Sequence, residues 1–247
     1  VNNLKCFSGK DCYDIDSSTN VLIENSFASS FDDSFAVKTR YPGIVTNNIV
    51  IKNCYAAVYD ASALKIGTEV RSPITNVSYR LCDVDTRDRA VNLETDPDTN
   101  DKISNSDYRY IRLFGGFRAF TTDGGGTKLD IQNILFEDII AENYGPSTLN
   151  GITNTTFNNL IVLAGNGGSD DKYLFENTGG STNIILNSPK IYWQNNKSNW
   201  RGISKNESIK FNNVREFTGF KENLNLNLIV GDFNLDGKLS LIDDVLP

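Results

Sequence analysis

Five aspartates crowd the start of the chain: Asp11, Asp14 and Asp16, then the adjacent pair Asp32 and Asp33. Carboxylates set close together repel, so at least one is expected to keep its proton near neutrality while its neighbours stay charged. An acid beside a base is what cleavage of a glycosidic bond needs, one to protonate the leaving oxygen and one to activate water. Asp also caps backbone N–H groups in turns, and spacing alone does not choose between these uses. The chain has no His, which removes Ser-His-Asp and Cys-His nucleophiles and His-based metal sites.

A second constellation lies near the end. Asp232, Asn234 and Asp236 fall at positions 1, 3 and 5 of an EF-hand-type loop, with Gly237 at the turn. Lys238 offers its carbonyl at position 7, Ser240 stands at 9 and Asp243 at 12. Hard oxygen donors at these intervals suit Ca²⁺. A polar turn without metal is the plain alternative.

The elements that must carry the aspartates are short and they repeat. Asn20-Val-Leu-Ile-Glu-Asn-Ser26 returns as Asn48-Ile-Val-Ile-Lys-Asn-Cys54 and as Asn76-Val-Ser-Tyr-Arg-Leu-Cys82, at equal steps of 28 residues. Fainter copies begin near Ile134, Thr155, Asn183 and Ile209. Apolar residues alternate with polar ones inside each copy, the period of a strand, and no segment sustains a helical pattern. A second phrase repeats in step: Ser34-Phe-Ala-Val-Lys-Thr39, Ala63-Leu-Lys-Ile-Gly-Thr68 and Ala90-Val-Asn-Leu-Glu-Thr95. Stacking these copies sets Phe35 over Leu64 over Val91, and Val37 over Ile66 over Leu93, at about 4.8 Å per rung. The expected fold class is all-β, a right-handed parallel β-helix, with a β-sandwich as the alternative. Asp11 and Asp32 are 21 residues apart, about one rung, which brings them to one outer face.

Composition sets the limits. Thirty-one Asp and Glu against twenty-four Lys and Arg leave a net charge of −7, the wrong sign for a nucleic-acid partner. No apolar run is long enough to span a bilayer as a helix. Cys6, Cys12, Cys54 and Cys82 show no zinc spacing and read mostly as buried thiols, with a Cys6–Cys12 bridge open.

The stretch Gly9-Lys-Asp-Cys-Tyr-Asp-Ile-Asp16, followed by Phe31-Asp-Asp-Ser-Phe-Ala-Val-Lys38, resembles the polygalacturonase family of β-helix glycosidases and its dextranase and isopullulanase relatives. The resemblance covers roughly residues 9 to 165. It implies that Asp32 is the general acid and that Asp11 and Asp33 activate water for inverting hydrolysis. It sets Ser62 where the family has a His and Asn92-Leu-Glu94 where the family has two cations. Lys65, Arg87 and Arg89 lie on nearby rungs as substitutes, or as ordinary partners of Asp60, Asp88 or Glu94; Ser62, Lys65 and Arg89 are thus the expected substrate contacts. These departures point away from galacturonan. Family members carry many rungs before the first Asp motif, so the chain is expected to be the C-terminal part of a longer helix.

Gly231-Asp-Phe-Asn-Leu-Asp-Gly-Lys238 resembles the first calcium repeat of a dockerin. That resemblance implies a cohesin partner and secretion, and divides the chain into a β-helix over 1–223 and a partial dockerin-like segment over 224–247. The expected function is a secreted polysaccharide-degrading glycoside hydrolase that needs no metal for hydrolysis. The alternatives are a non-catalytic carbohydrate-binding β-helix and a lyase with Lys65 or Arg89 as base and Ca²⁺ bridging the acids.

Overall fold

The computed structural model describes residues 1–96, 98, 101–124, 129–165, 173–177, 179–193 and 200–218. The calcium-loop residues Asp232, Asn234, Asp236, Lys238, Ser240 and Asp243 lie outside the described residues, as does the whole of 224–247. The described chain is all-β, and its strands pair in parallel to form a β-solenoid built from two sheets of 14 and 8 strands. Among the described residues, no helix is long and apolar enough to cross a membrane.

The smaller sheet runs from Tyr13–Asp16 through Phe35–Thr39, Ser62–Val70 and Arg89–Glu94 to Arg118–Asp123, and onward to Gly202–Ser204. Its registers are the expected ones: Phe35 pairs with Leu64 and Leu64 with Val91, while Val37 pairs with Ile66 and Ile66 with Leu93. All six side chains are buried, because period-2 alternation points every second residue inward on each rung. Lys38, Lys65, Asn92 and Glu94 occupy the alternate positions, on the outer face.

In the larger sheet the inner column is aromatic. Tyr79, Tyr108, Phe136 and Phe157 stack with ring centroids 5.0, 5.1 and 4.4 Å apart, close to the rung spacing that parallel pairing imposes. The Tyr79 hydroxyl, fully buried, donates to the carbonyls of Lys65 at 2.7 Å and Phe35 at 3.1 Å, tying the two sheets together under the site. The strand Lys190–Trp193 pairs with Ile161–Ala164 and Arg215–Thr218 and so belongs to the rungs.

The repeated Asn residues make the bends. Asn20, Asn48, Asn76, Asn105, Asn133, Asn154 and Asn183 all sit at φ between 50° and 59°, a left-handed conformation that Asn tolerates better than other side chains. Their amides also ladder along the axis, as where Asn48 Nδ2 donates to Asn20 Oδ1 at 2.7 Å. A second bend follows the same rule at Asn25 and Asn53, where the upper amide again donates to the lower at 2.7 Å. The next rung breaks it: Leu81 holds φ 52°, and Asn53 Oδ1 is left buried without a partner. Leu81→Asn is therefore expected to stabilise the fold by about 1–2 kcal/mol, by relieving left-handed strain and supplying the absent donor. Urea unfolding measures this, and a neutral or destabilising result contradicts the ladder account.

Candidate active site

Asp11, Asp32 and Asp33 lie on corners where the chain passes from the larger sheet to the smaller, while Asp14 and Asp16 stand in the strand that follows the first corner. Residues 9–12 join Lys5–Ser8 to Tyr13–Asp16, and residues 31–34 make the same crossing one rung on, between Phe27–Ser30 and Phe35–Thr39. Cys12 N–H donates to the Asp33 carbonyl at 3.0 Å, which locks the two corners together. The Asp33 N–H is shared between Asp11 Oδ1 at 3.2 Å and Asp32 Oδ1 at 3.0 Å. One backbone donor thus gathers two carboxylates, and one oxygen from each of Asp11, Asp32 and Asp33 lies within 4.8 Å of the others.

Two lysines on the outer face offset this crowding. Lys65 Nζ is 2.9 Å from Asp33 Oδ2, while the Ser62 N–H donates to Asp33 Oδ1 at 3.1 Å. Asp33 is 2 % exposed and has both oxygens engaged, so it is less available to a substrate than Asp11 or Asp32. Burial is the main cause that raises its pKa, opposed by Lys65 and the Ser62 N–H and assisted by the charge on Asp11. A raised carboxyl was expected from repulsion; its principal cause is desolvation instead.

Lys38 Nζ lies 2.7 Å from Asp11 Oδ2, 3.3 Å from Asp14 Oδ1 and 3.8 Å from Glu69 Oε2. Burial pulls this ammonium down, but Asp11, Asp14 and Glu69 outweigh it and the net shift is upward. Glu69 reaches Lys38 because the register slips between Val37 and Thr39. The slip coincides with Gly67 at φ 107°, where an added Cβ would lie 1.8 Å from the Glu94 carbonyl oxygen. Only glycine fits there.

Asp32 differs from its neighbours: among the described residues it has no cation within ion-pair range, and it is partly exposed. The cluster opens into a groove of about 460 Å³ whose lining includes Lys10, Asp14, Arg40, Thr68 and Glu69. A larger cavity of about 640 Å³ lies at the far end of the smaller sheet, around Tyr173, Phe175 and Glu207, remote from the three aspartates. The smaller groove is the better candidate because it alone combines the gathered carboxyls with fixed counter-charges.

The expected substrate contacts separate. Lys65 lines the groove, spent on Asp33. Ser62 is fully buried with an unpartnered hydroxyl, and Arg89 pairs with Asp88 at 3.1 Å outside the groove lining. Tyr13 is buried against Phe35 with ring centroids 4.7 Å apart. Tyr59 is exposed and stacks on exposed Phe31 at 4.9 Å, with Arg87 4.6 Å over its ring. Sequence reasoning missed Lys38 as the counter-ion of Asp11. Strand alternation and the one-rung offset from Asp16, its register partner, carried that signal.

The three oxygens are close enough for a hard cation. However, ammonium groups already occupy Asp11 and Asp33, and no Asp33 oxygen is free, so the arrangement does not suit Ca²⁺ bridging. No family model matches the chain, and no curated protein does.

Lys65→Met strands a buried carboxylate and is expected to cost about 3–5 kcal/mol at pH 7. The folded-state pKa of Asp33 is raised, so its contribution is most favourable below the unfolded value and declines as pH rises through the folded one. The deficit of the variant against wild type should therefore narrow as pH falls towards about 4. Urea unfolding across this range tests it, and a pH-independent deficit contradicts the assigned pair.

Proposed function

We propose that this chain is a polysaccharide-degrading glycoside hydrolase whose reacting carboxyls are Asp11 and Asp32. The observation that carries the reading is the inequality of two neighbouring acids on one open groove: Asp11 is ion-paired to Lys38, whereas Asp32 has no cation within ion-pair range among the described residues. Asp11, fixed against Lys38, is placed to take the proton of a water, and Asp32, partly exposed on the same groove, is placed to reach the leaving oxygen. Asp32 protonates the glycosidic oxygen as the bond to the anomeric carbon breaks. Asp11 takes the proton of the attacking water. Asp33, buried and fully bonded, positions both through its N–H. The exposed Phe31, next to Asp32 in the chain, and Tyr59, stacked on it from the next rung, offer apolar surface to sugar rings.

The family resemblance implies inversion. A second reading is retention, favoured because Asp11 and Asp32 converge on one backbone N–H, and a retaining pair stands closer together than an inverting pair that seats a water between its carboxyls. In that reading Asp11 attacks the anomeric carbon and the configuration is kept. Proton NMR of the first anomer formed separates the two courses.

A lyase is less well supported, since Lys65 and Arg89 are both held in ion pairs. The Cys6–Cys12 disulfide supports secretion, because such bonds persist in oxidising compartments. The Ca²⁺ loop over Asp232–Asp243 and a cohesin partner remain proposals from sequence alone.

A reducing-end screen against pectins, dextrans, pullulan and other glycans, with ultraviolet absorbance read in parallel, tests the function. Release without absorbance is expected from one polymer, and Asp32→Asn should lower it by about 10²–10⁴-fold while the fold stays intact. Full activity in Asp32→Asn removes the acid assignment. An absorbing product indicates a lyase, and retention of a polymer without cleavage indicates a binding module.

A further inference from the structure

Strands Phe35–Thr39 and Ser62–Val70 lose their register beside Lys38. Val37 pairs with Ile66 and Thr39 with Val70, so Gly67, Thr68 and Glu69 together face the single residue Lys38. Unbroken pairing would set Gly67, which has no side chain, beside Lys38 on the outer face. The bulge brings Glu69 there instead, and it strains the backbone: Thr68 stands at φ 64°, a left-handed conformation that β-branched residues rarely adopt. Glu69 divides its two oxygens between two cations, with Oε2 3.8 Å from Lys38 Nζ and Oε1 3.6 Å from Arg40 Nε. Arg40, just past the end of the Lys38 strand, also donates from Nη2 to Asp14 Oδ2 at 2.7 Å and lies 3.8 Å from Asp16 Oδ2. Asp14 and Glu69 are thus shared by Lys38 and Arg40, whereas among the described residues Asp11 pairs with Lys38 alone.

We propose that Arg40 and Glu69 are positioning residues that act on Asp11 through Lys38 in opposite directions: Arg40 draws Asp14 and Glu69 away from the Lys38 ammonium and leaves it to Asp11, while Glu69 competes with Asp11 for it. The functional part of this inference rests on Asp11 being the reacting carboxylate of the proposed hydrolase; the part that concerns Lys38 does not.

The charged groups around Lys38 come from each element packed against it. Asp11 reaches it from the corner, Asp14 from the strand Tyr13–Asp16 with Asp16 held by Arg40, and Glu69 from the following rung, which also carries the Lys65–Asp33 pair. Lys10 and Asp32 line the same groove. Burial disfavours the ammonium, and the surrounding acids outweigh burial. Removing the charge of Arg40 takes a cation from this network and frees Asp14 and Glu69 for Lys38, which favours its charged form. Removing the charge of Glu69 takes an anion away and disfavours it.

The test compares the full chain as wild type, Arg40→Gln, Arg40→Lys and Glu69→Gln. Side-chain NMR should show the Lys38 titration moving up in Arg40→Gln and down in Glu69→Gln, each by about 0.2–0.7 of a pH unit, with Arg40→Lys close to wild type. Both displacements should shrink in about 1 M salt, because partly exposed charges are screened. On the glycan found by screening, the acid limb of kcat against pH should move in the same two directions, with KM within about twofold. Displacements of one sign in the two Gln variants, or none, overturn the inference. So does a changed KM with an unmoved pH profile, which makes the two residues substrate contacts. If wild type cleaves no glycan, the hydrolase reading fails while the Lys38 titration still decides the positional claim. If one Gln variant does not fold, the sign shown by the other decides.

Discussion

Each rung of this solenoid hydrogen-bonds in parallel to the rung above and the rung below, in register, and nearly everything else follows from that pairing. It sets each side chain about 4.8 Å from its counterpart on the next rung. For apolar residues this is favourable, as the stack from Tyr79 to Phe157 shows. Amides gain as well, because the carboxamide of one Asn accepts from the next. For charges of one sign the same constraint is costly, since like groups in facing positions repel.

The acidic corner is where that cost falls, and its solution defines the site. Asp11 lies one rung from Asp32 and Asp33, and backbone pairing alone would leave three carboxylates crowded together. Lys38 and Lys65 project from alternate outward positions of the smaller sheet and each neutralises one of them. The third, Asp32, has no counter-ion within ion-pair range among the described residues. Local asymmetry therefore arises from one backbone N–H, that of Asp33, and two lysines placed by strand alternation. The slip at Gly67 adds Glu69 to the same network and holds Lys38 from a further side.

Much of the architecture was legible because periodicity reports the inward face directly. The columns through Phe35 and Val37 could be read to the residue, and the repeated Asn marked the bends even though its left-handed backbone was not inferred. Corners were harder. Alternation ends there, so nothing in the spacing revealed that Asp33 turns inward while Asp32 stays partly exposed, whereas Ser62, two residues before inward Leu64, is placed inward by alternation itself. Which acid each lysine meets depends on how the corners that hold Asp11 and Asp33 fold, which is why Lys65 read as a substrate contact and Lys38 as part of a motif. Arg89 was legible only as a choice between substrate and a neighbouring acid, and the neighbouring Asp88 takes it.

The central claim is that Asp11 and Asp32 flank the bond to be cleaved. A crystal structure of Asp32→Asn with a bound oligosaccharide from the cleaved polymer tests it most directly. The account predicts a glycosidic oxygen within hydrogen-bond reach of residue 32 and the anomeric carbon facing Asp11, with the sugar chain lying in the groove on the outer face of the smaller sheet. An oligosaccharide seated elsewhere, with the aspartate groove holding only solvent, would contradict it.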